Sequence, residues 1–458
     1  MLDILFIYPP IYFNKEGGPE TMDVEHPPLG VLYLASSLEK EHVSAEILDI
    51  GAENIDLNRL KNIITEKRPR VIGFTTMTAN LRGTVQAAEF IKQNFPEIKL
   101  ILGGAHISAD NDFINRFAHL FDVGIAGEAE TVLPAIINKM KTNQPVEKFY
   151  QGVPVQDLDS LPFPAREKLQ HVKYKKGAHI FSSRGCPFKC VFCSRPALSD
   201  KMRFRDPMKI LDEMEEIYKQ GETFFMFADD TLTLKKDHII GICQEILKRG
   251  MKITWTAITR ADMLDEDIVK LMKKAGCLEV TLGVESGSER IRNEIIKKNL
   301  STEAIVKAAK LCNKNRVNVN AFLMLGFPTE TREDIEKTMQ FYKTARYNIV
   351  GVHISLPLPG AALFETAKSE NKISIDTIDQ YARGELGEGF HGSWPFYVPE
   401  GFNLQELEDF RKKAYFKFYF RPSYLIRRFF QDISSWENLK YSIKTGLSLL
   451  TRGDTSRQ

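Results

Sequence analysis

The first 185 residues of this 458-residue chain hold no cysteine. The six that follow are Cys186, Cys190, Cys193, Cys243, Cys277 and Cys312, with three crowded into eight positions. A disulfide framework spreads its bridges through a small secreted domain, so this distribution excludes one and predicts a reducing, cytoplasmic compartment. Charge of one sign is also lacking. The 62 Lys+Arg against 60 Asp+Glu leave +2, which excludes a chain built mainly to coat nucleic acid. No apolar run reaches the ~20 residues of a spanning helix. The start, MLDILFIYPP, has no basic segment before its apolar run and reads as a first strand, not a leader.

What is present is ordinary globular composition, 43% apolar and 27% charged, over a length that predicts about two to four domains. Residues 1–141 alternate apolar runs with amphipathic stretches. Candidate strands are Asp3–Tyr8, Ala45–Ile50, Val71–Thr75, Lys99–Leu102 and Asp122–Ala126, with helical patterns at 29–40, 56–66, 80–94 and 128–141 and a weaker one at 110–118. Ile/Val/Leu strands each followed by a helix predict an α/β fold, a doubly wound (Rossmann-like) parallel sheet covered on both faces. Its ligand loops would be YPP (8–10), TTMTAN (75–80), GGAHIS (103–108) and GEAE (127–130). Residues 142–171, punctuated by Pro145, Pro154, Pro162 and Pro164, read as a linker. From 172 to 375 six more strands alternate with helices, near 178–183, 223–228, 252–258, 278–284, 317–325 and 350–356. Six are too few for a closed eight-stranded barrel and predict a partial (β/α)6 barrel. Residues 376–458 read as a helical, basic and aromatic extension.

The informative segment is Ser183-Arg184-Gly185-Cys186-Pro187-Phe188-Lys189-Cys190-Val191-Phe192-Cys193. Its C-x3-C-x2-C spacing admits three readings. A helix face would align the thiols, but Gly185 and Pro187 suit a helix interior poorly. Structural zinc, in a binding module without catalysis, wants four ligands in paired units, and no second pair is visible. A 4Fe–4S cluster held by three thiolates leaves one iron open to a non-protein ligand. The spacing departs from the zinc patterns and favours the cluster.

This stretch resembles the cluster loop of the radical SAM superfamily: C-x3-C-x-Φ-C, with Phe192 as the aromatic, directly after the strand HIFSS. The resemblance implies Cys186, Cys190 and Cys193 as cluster ligands and S-adenosylmethionine on the open iron. It further implies reductive cleavage to a 5′-deoxyadenosyl radical, with a flavodoxin- or ferredoxin-type electron donor. It carries roles onto the following strand ends in order. Asp229 and Asp230 (FMFADDTLTL) would meet the methionine amino group, and Arg260 its carboxylate. Glu285 (LGVESGSER) would meet the ribose hydroxyls, and Gly326 (AFLMLGFPTET) would lie near adenine. Helix capping competes for both Asp229 and Asp230, and Ser286 with Glu289 spells a capping box.

The front domain resembles the cobalamin-binding domain of cobalamin-dependent radical SAM enzymes, through HPPLGVLYLASSL, GFTTMTAN, GGAHIS and GIAGEAE. That likeness implies a corrin at the strand ends, with Gly103 and Gly104 allowing close backbone approach and Thr75 and Thr76 meeting polar groups. The D-x-H-x-x-G motif that supplies a histidine to cobalt is missing. Asp23-Val24-Glu25-His26 has the wrong spacing, and His106 reads as a satisfied loop histidine, so cobalamin would be held without a protein histidine.

Residues 411–458 carry 11 Lys/Arg and three Asp/Glu, interleaved with Tyr415, Phe416, Phe418, Tyr419, Phe420, Tyr424, Phe429, Phe430 and Trp436. That pattern fits a membrane-surface contact, an apolar substrate channel, single-stranded nucleic acid, or helices packing their aromatics onto the barrel. The leading expectation is therefore a radical SAM methyltransferase using cobalamin to methylate an unactivated carbon of a small apolar or lipid-like substrate. The rival is a ring-forming or rearranging enzyme like the anaerobic cyclases, whose front domain need not bind cobalamin. RNA methylthiolation, which resembles the core, is disfavoured by the missing front-domain cysteines and the missing RNA-binding barrel, so nucleic acid is an unexpected partner.

Overall fold

The computed structural model describes residues 2–21, 26–174, 177–195, 199, 201–387 and 394–432, with 428–432 as backbone alone. The segment Asp23-Val24-Glu25, the side chains of Phe429 and Phe430, and Trp436 lie outside the described residues. The chain divides into two compact units. The first holds 1–232, 241–254 and 357–395; the second holds 233–240, 255–356 and 396–458.

The first unit opens with a six-stranded, all-parallel sheet of β1 (Ile4–Tyr8), β2 (Ala45–Asp49), β3 (Val71–Thr75), β4 (Lys99–Gly103), β5 (Val123–Ala126) and β6 (Phe149–Gln151), ordered β2-β1-β3-β4-β5-β6. Ile4 sits opposite both Ala45 and Val71, so β1 is flanked on both sides. The chain leaves β1 toward one edge and returns toward the other. That reversal between β1 and β3 makes a topological switch point, where such sheets bind ligands at their carboxyl ends. The five predicted strands are present within a residue or so of each boundary. β6 was not foreseen: residues 142–171 read as linker, and the three residues of β6 are too few and too exposed to show alternation. Helix Leu29–Lys40 buries eight side chains between Leu29 and Leu38, nearly all round, because that segment is apolar apart from two small serines. Helix Leu57–Lys67 starts where Asp56 accepts the Arg59 N–H at 2.7 Å.

Two strands of the second series belong to this same unit, β7 (Ala178–Ile180) and β8 (Phe224–Phe227), paired in parallel. Between them Pro207–Lys219 forms a helix, with Pro207 at its first position and Asp206 capping Met208 N–H at 2.8 Å. The segment after residue 357 also packs here. Asp379 accepts Arg116 Nε at 2.9 Å, and the Tyr381 hydroxyl donates to the Ala79 carbonyl at 2.8 Å.

The second unit contains β9 (Thr254–Thr259), β10 (Cys277–Glu285), β11 (Asn318–Leu325) and β12 (Ile349–Ile354), parallel and ordered β12-β11-β10-β9. Helices Leu404–Tyr419 and Pro422–Asp432 follow. β12 is an edge strand, and the tail's tyrosines serve it. The Tyr415 hydroxyl accepts Val352 N–H at 3.0 Å and donates to its carbonyl at 3.1 Å, while Tyr419 donates to the Val350 carbonyl at 3.2 Å. Phe418 and Tyr424 are buried. Aromatic packing onto the sheet thus accounts for part of the tail's composition, and it blunts an exposed strand edge. Among the described residues no helix is long and apolar enough to cross a membrane.

Candidate functional site

The cysteine loop leaves β7 through a short antiparallel pairing of Ser183–Arg184 with Arg203–Phe204. Gly185 then turns at φ +97°, and a Cβ there would lie 2.3 Å from the Lys201 carbonyl oxygen, so only glycine fits. Cys186, Cys190 and Cys193 are half-buried, and Cys193 N–H donates to the Cys190 carbonyl at 3.0 Å. Burial pushes the Cys193 thiol above its ordinary range, and the neighbouring Cys190 and Asp230 add to the shift against the Arg195 backbone N–H. A metal bound here must displace that proton. Among the described residues no three His, Cys, Asp or Glu side chains close on a single ion. A cubane cluster makes no such demand, since it offers separate irons to separate thiolates, and the all-sulfur donor set suits it. Phe192 is half-buried in the same loop.

Asp229 and Asp230 end β8 and do different work, neither of them capping a helix. Asp229 is buried and accepts from Ser182 N–H at 3.1 Å, Ser182 Oγ at 2.9 Å and Ser183 Oγ, which ties the end of β8 to the root of the cysteine loop. Burial pushes its carboxyl up to about 6 despite those bonds. Asp230 faces a cleft and pairs with Arg195 Nε at 3.1 Å. Burial raises its carboxyl too, and Arg195 opposes the rise.

That cleft lies in the first unit, with about 1280 Å³ of empty space including open solvent. Its floor is the aliphatic face of the front sheet and a row of glycines: Gly30, Gly73, Gly103, Gly104 and Gly127. Gly30 is telling. A Cβ there would meet nothing within 4 Å, so packing does not require glycine, and the missing side chain leaves room for a ligand. Gly104 is fixed by the chain instead, at φ +102°, where a Cβ would sit 2.5 Å from Thr76 N. Thr75 lines the cleft. Thr76 is buried behind it, its hydroxyl 3.1 Å from that of Thr84. His106 is also buried, 3.1 Å from the Thr78 hydroxyl through Nδ1, and burial drives its imidazole down to about 4. No histidine lines the cleft among the described residues. The glycine floor and the aliphatic wall fit a large, mostly apolar ligand such as a corrin.

The other wall of the cleft comes from the cysteine loop, through Arg184, Gly185 and Arg195. The GEAE loop reaches across to it. Arg184 Nη1 lies 2.8 Å from Glu130 and 3.4 Å from Glu128, and Arg203 makes two bonds to Glu128, at 2.9 and 2.5 Å. Burial alone would raise Glu128, but the Arg203 bonds and the Arg184 charge hold it below the usual range.

In the second unit, Arg260 and Glu285 are joined through a residue that sequence reasoning did not single out. Arg260 Nη2 donates to the Lys298 carbonyl at 3.0 Å, and Lys298 Nζ donates to Glu285 Oε1 at 2.7 Å. Both side chains of the pair are buried, at 7% and 9% exposure. Glu285 sits at φ +64° beyond a register shift in β10, a strained position for a side-chain-bearing residue. The expected Ser286–Glu289 capping box is not formed. Ser286 Oγ accepts Ser288 N–H at 3.1 Å, and Glu289 reaches forward to Thr302 N–H at 2.9 Å. Gly326 ends β11 at φ +87°, and its N–H donates to buried Glu330 at 2.6 Å.

Residues 180–342 match the radical SAM superfamily and residues 20–137 the B12 binding domain. An uncharacterised methyltransferase of Pyrococcus horikoshii is 28% identical over 94% of this chain and 95% of its own. The anaerobic magnesium-protoporphyrin IX monomethyl ester cyclase of Rubrivivax gelatinosus is 25% identical over 94% and 79%. Among solved structures, the radical S-adenosylmethionine methyltransferase TsrM of Kitasatospora setae superposes with a TM-score of 0.69 at 17% identity, covering 92% of this chain and 89% of its own.

Proposed function

We propose that this chain, which carries a B12-binding domain before its core and belongs to the radical SAM superfamily, methylates an unactivated carbon of a small apolar or lipid-like substrate. It is a radical SAM enzyme of the cobalamin-dependent methyltransferase type, with a 4Fe–4S cluster, S-adenosylmethionine and cobalamin as cofactors. When bound, these groups supply the electron, the hydrogen-abstracting species and the methyl carrier; the protein binds, orients and excludes water.

One observation carries the reading: the front-domain strand ends and the cysteine loop line one cleft. Cys186, Cys190 and Cys193 would hold the cluster, with Phe192 beside it. Gly30, Thr75, Gly103 and Gly104 would border the corrin. Asp230, Arg260, Glu285 and Gly326 would bind S-adenosylmethionine, with Asp229 and Thr76 supporting from behind. We take 1–141 as the cobalamin-binding domain, 172–375 as the radical SAM core and 376–458 as its extension. A flavodoxin- or ferredoxin-type donor would reduce the cluster. The exposed Phe416, Leu425 and Ile426 of the tail support contact with a membrane surface.

The test is metal content and product mass on one anaerobically reconstituted sample, incubated with hydroxocobalamin and desalted. Iron near four and cobalt near one per chain, with a product heavier by one methyl group, are expected. Iron without cobalt, with a product that has lost hydrogen or gained oxygen, would favour the cyclase reading, which the likeness to the Rubrivivax enzyme supports. Zinc in place of iron would overturn both.

A further inference from the structure

At the amino-terminal ends of β11 and β12, away from Glu285 and Gly326, the second unit has a small pocket with about 260 Å³ of empty space including open solvent. Three arginines meet there, Arg316, Arg346 and Arg427, together with Asn313, Asn318 and Asn348, and no carboxylate lines it among the described residues. Each arginine arrives from a different element. Arg316 follows helix Thr302–Lys314 in a left-handed turn at φ +59°, and Arg346 precedes β12. Arg427 comes from helix Pro422–Asp432; its Nη2 donates to the Tyr347 carbonyl at 3.0 Å and its guanidinium lies over the Tyr424 ring.

Several arginines elsewhere are paired with acids, such as Arg249 with Asp212, Glu215 and Glu245, and Arg205 with Glu213. Here Arg316 and Arg346 make no ion pair among the described residues. The acid that Asn348 reaches, Glu279 at 3.1 Å, also takes the Asn320 amide at 2.6 Å. Like charges drawn around one pocket repel, and a bound anion turns that repulsion into attraction. Guanidinium forks and amide N–H groups are the donors that suit a tetrahedral oxyanion.

We propose that this pocket binds a phosphate-class oxyanion, either free phosphate or the headgroup of an anionic lipid. The pocket opens to solvent, so the rest of any larger molecule would lie outside it. Leu425 and Ile426, exposed on the helix that carries Arg427, make the headgroup a concrete source. The site is independent of the cofactor chemistry, so it stands or falls apart from the methyltransferase reading.

The experiment is calorimetric titration of the full chain with inorganic phosphate against chloride at equal ionic strength. Alongside it, co-sedimentation is measured with phosphatidylcholine vesicles with and without phosphatidic acid. Each assay is repeated on Arg316→Gln/Arg346→Gln, whose two side chains are exposed and whose thermal midpoint and iron content should match the wild type. Saturable phosphate binding, weakened at least tenfold in the double variant, establishes the site for the free ion. Phosphatidic acid binding lost in the variant, without free-phosphate binding, establishes it for the headgroup. Absence of both, or binding that the variant leaves unchanged, overturns the proposal.

Discussion

On the front-sheet side of the first unit's cleft the wall is aliphatic carbon and glycine; at the strand ends of the second unit it is charge. Gly30 leaves open space that no neighbour claims, whereas Lys298 and Glu285 fill their site with a buried ion pair on a strained backbone. A large, mostly apolar ligand asks for volume, and side chains are removed to make it. A small polar ligand asks for direction, and a carboxylate must be held in place before it arrives. The cysteine loop stands between these two strategies, supplying donors but leaving space beside them. If the contrast is right, the two regions should fail in different ways.

The largest effect should come from the loop itself. Cys190→Ala should reduce S-adenosylmethionine cleavage to background while cobalamin retention after desalting stays at the wild-type level, because the front sheet does not depend on that thiol. Cleavage surviving in this variant would refute the cluster assignment. The next effect tests volume alone. Gly30→Leu fills the cleft without straining the chain, since glycine is not needed there for backbone geometry. Cobalamin should bind about 10- to 100-fold more weakly, equivalent to roughly 1.4–3 kcal/mol of overpacking, with an unchanged thermal midpoint. Unchanged affinity would show that Gly30 does not border the corrin.

The charged region should fail through stability. Lys298→Met strands the Glu285 carboxylate and should cost about 3–5 kcal/mol in urea denaturation. Lys298→Met/Glu285→Gln removes the orphan charge and should recover most of that loss. A double variant as unstable as the single one would show that Lys298 matters for packing and not for charge.

The two regions were unequally legible in the sequence. The front strands are near-continuous Ile/Val/Leu runs buried on both faces, so hydrophobic periodicity reported them almost residue by residue. The cysteine spacing likewise marked its loop because three thiols at fixed intervals are rare. Lys298 was illegible for a physical reason. It lies 13 residues beyond Glu285, past a π-helical turn at Ile291–Ile295, and no local pattern reveals that pairing. Gly30 sat in plain view inside LGVLYLASSL, but a glycine in a helical pattern reads as a small cost until the space above it is seen. Residues 286–289 misled because S-x-x-E satisfies a local rule, while Thr302 offered Glu289 an N–H that sequence distance conceals.

The last effect separates buried neutral groups from ion pairs through pH. His106 takes up its proton near 6.5 when unfolded and near 4 in the fold. Between those values the unfolded chain binds more protons, so this residue's contribution to stability falls as pH drops from 6.5 to 4, by about 3 kcal/mol in full. Asp229 runs the other way. Its carboxyl rises from 3.8 to about 6, so the folded chain binds more protons in that window and gains stability as pH falls. The two oppose each other within one unit. In the second unit Asp334, bonded to Ser288 and Arg290, stays ionised to about 2 and contributes nothing to this window beyond the ordinary titration of its unfolded form. Relative to the wild type, His106→Gln should therefore make denaturation midpoints improve as pH falls from 6 to 4, and Asp229→Asn should make them worsen. Parallel pH profiles for both variants would mean that neither group is as thoroughly desolvated as its surroundings imply.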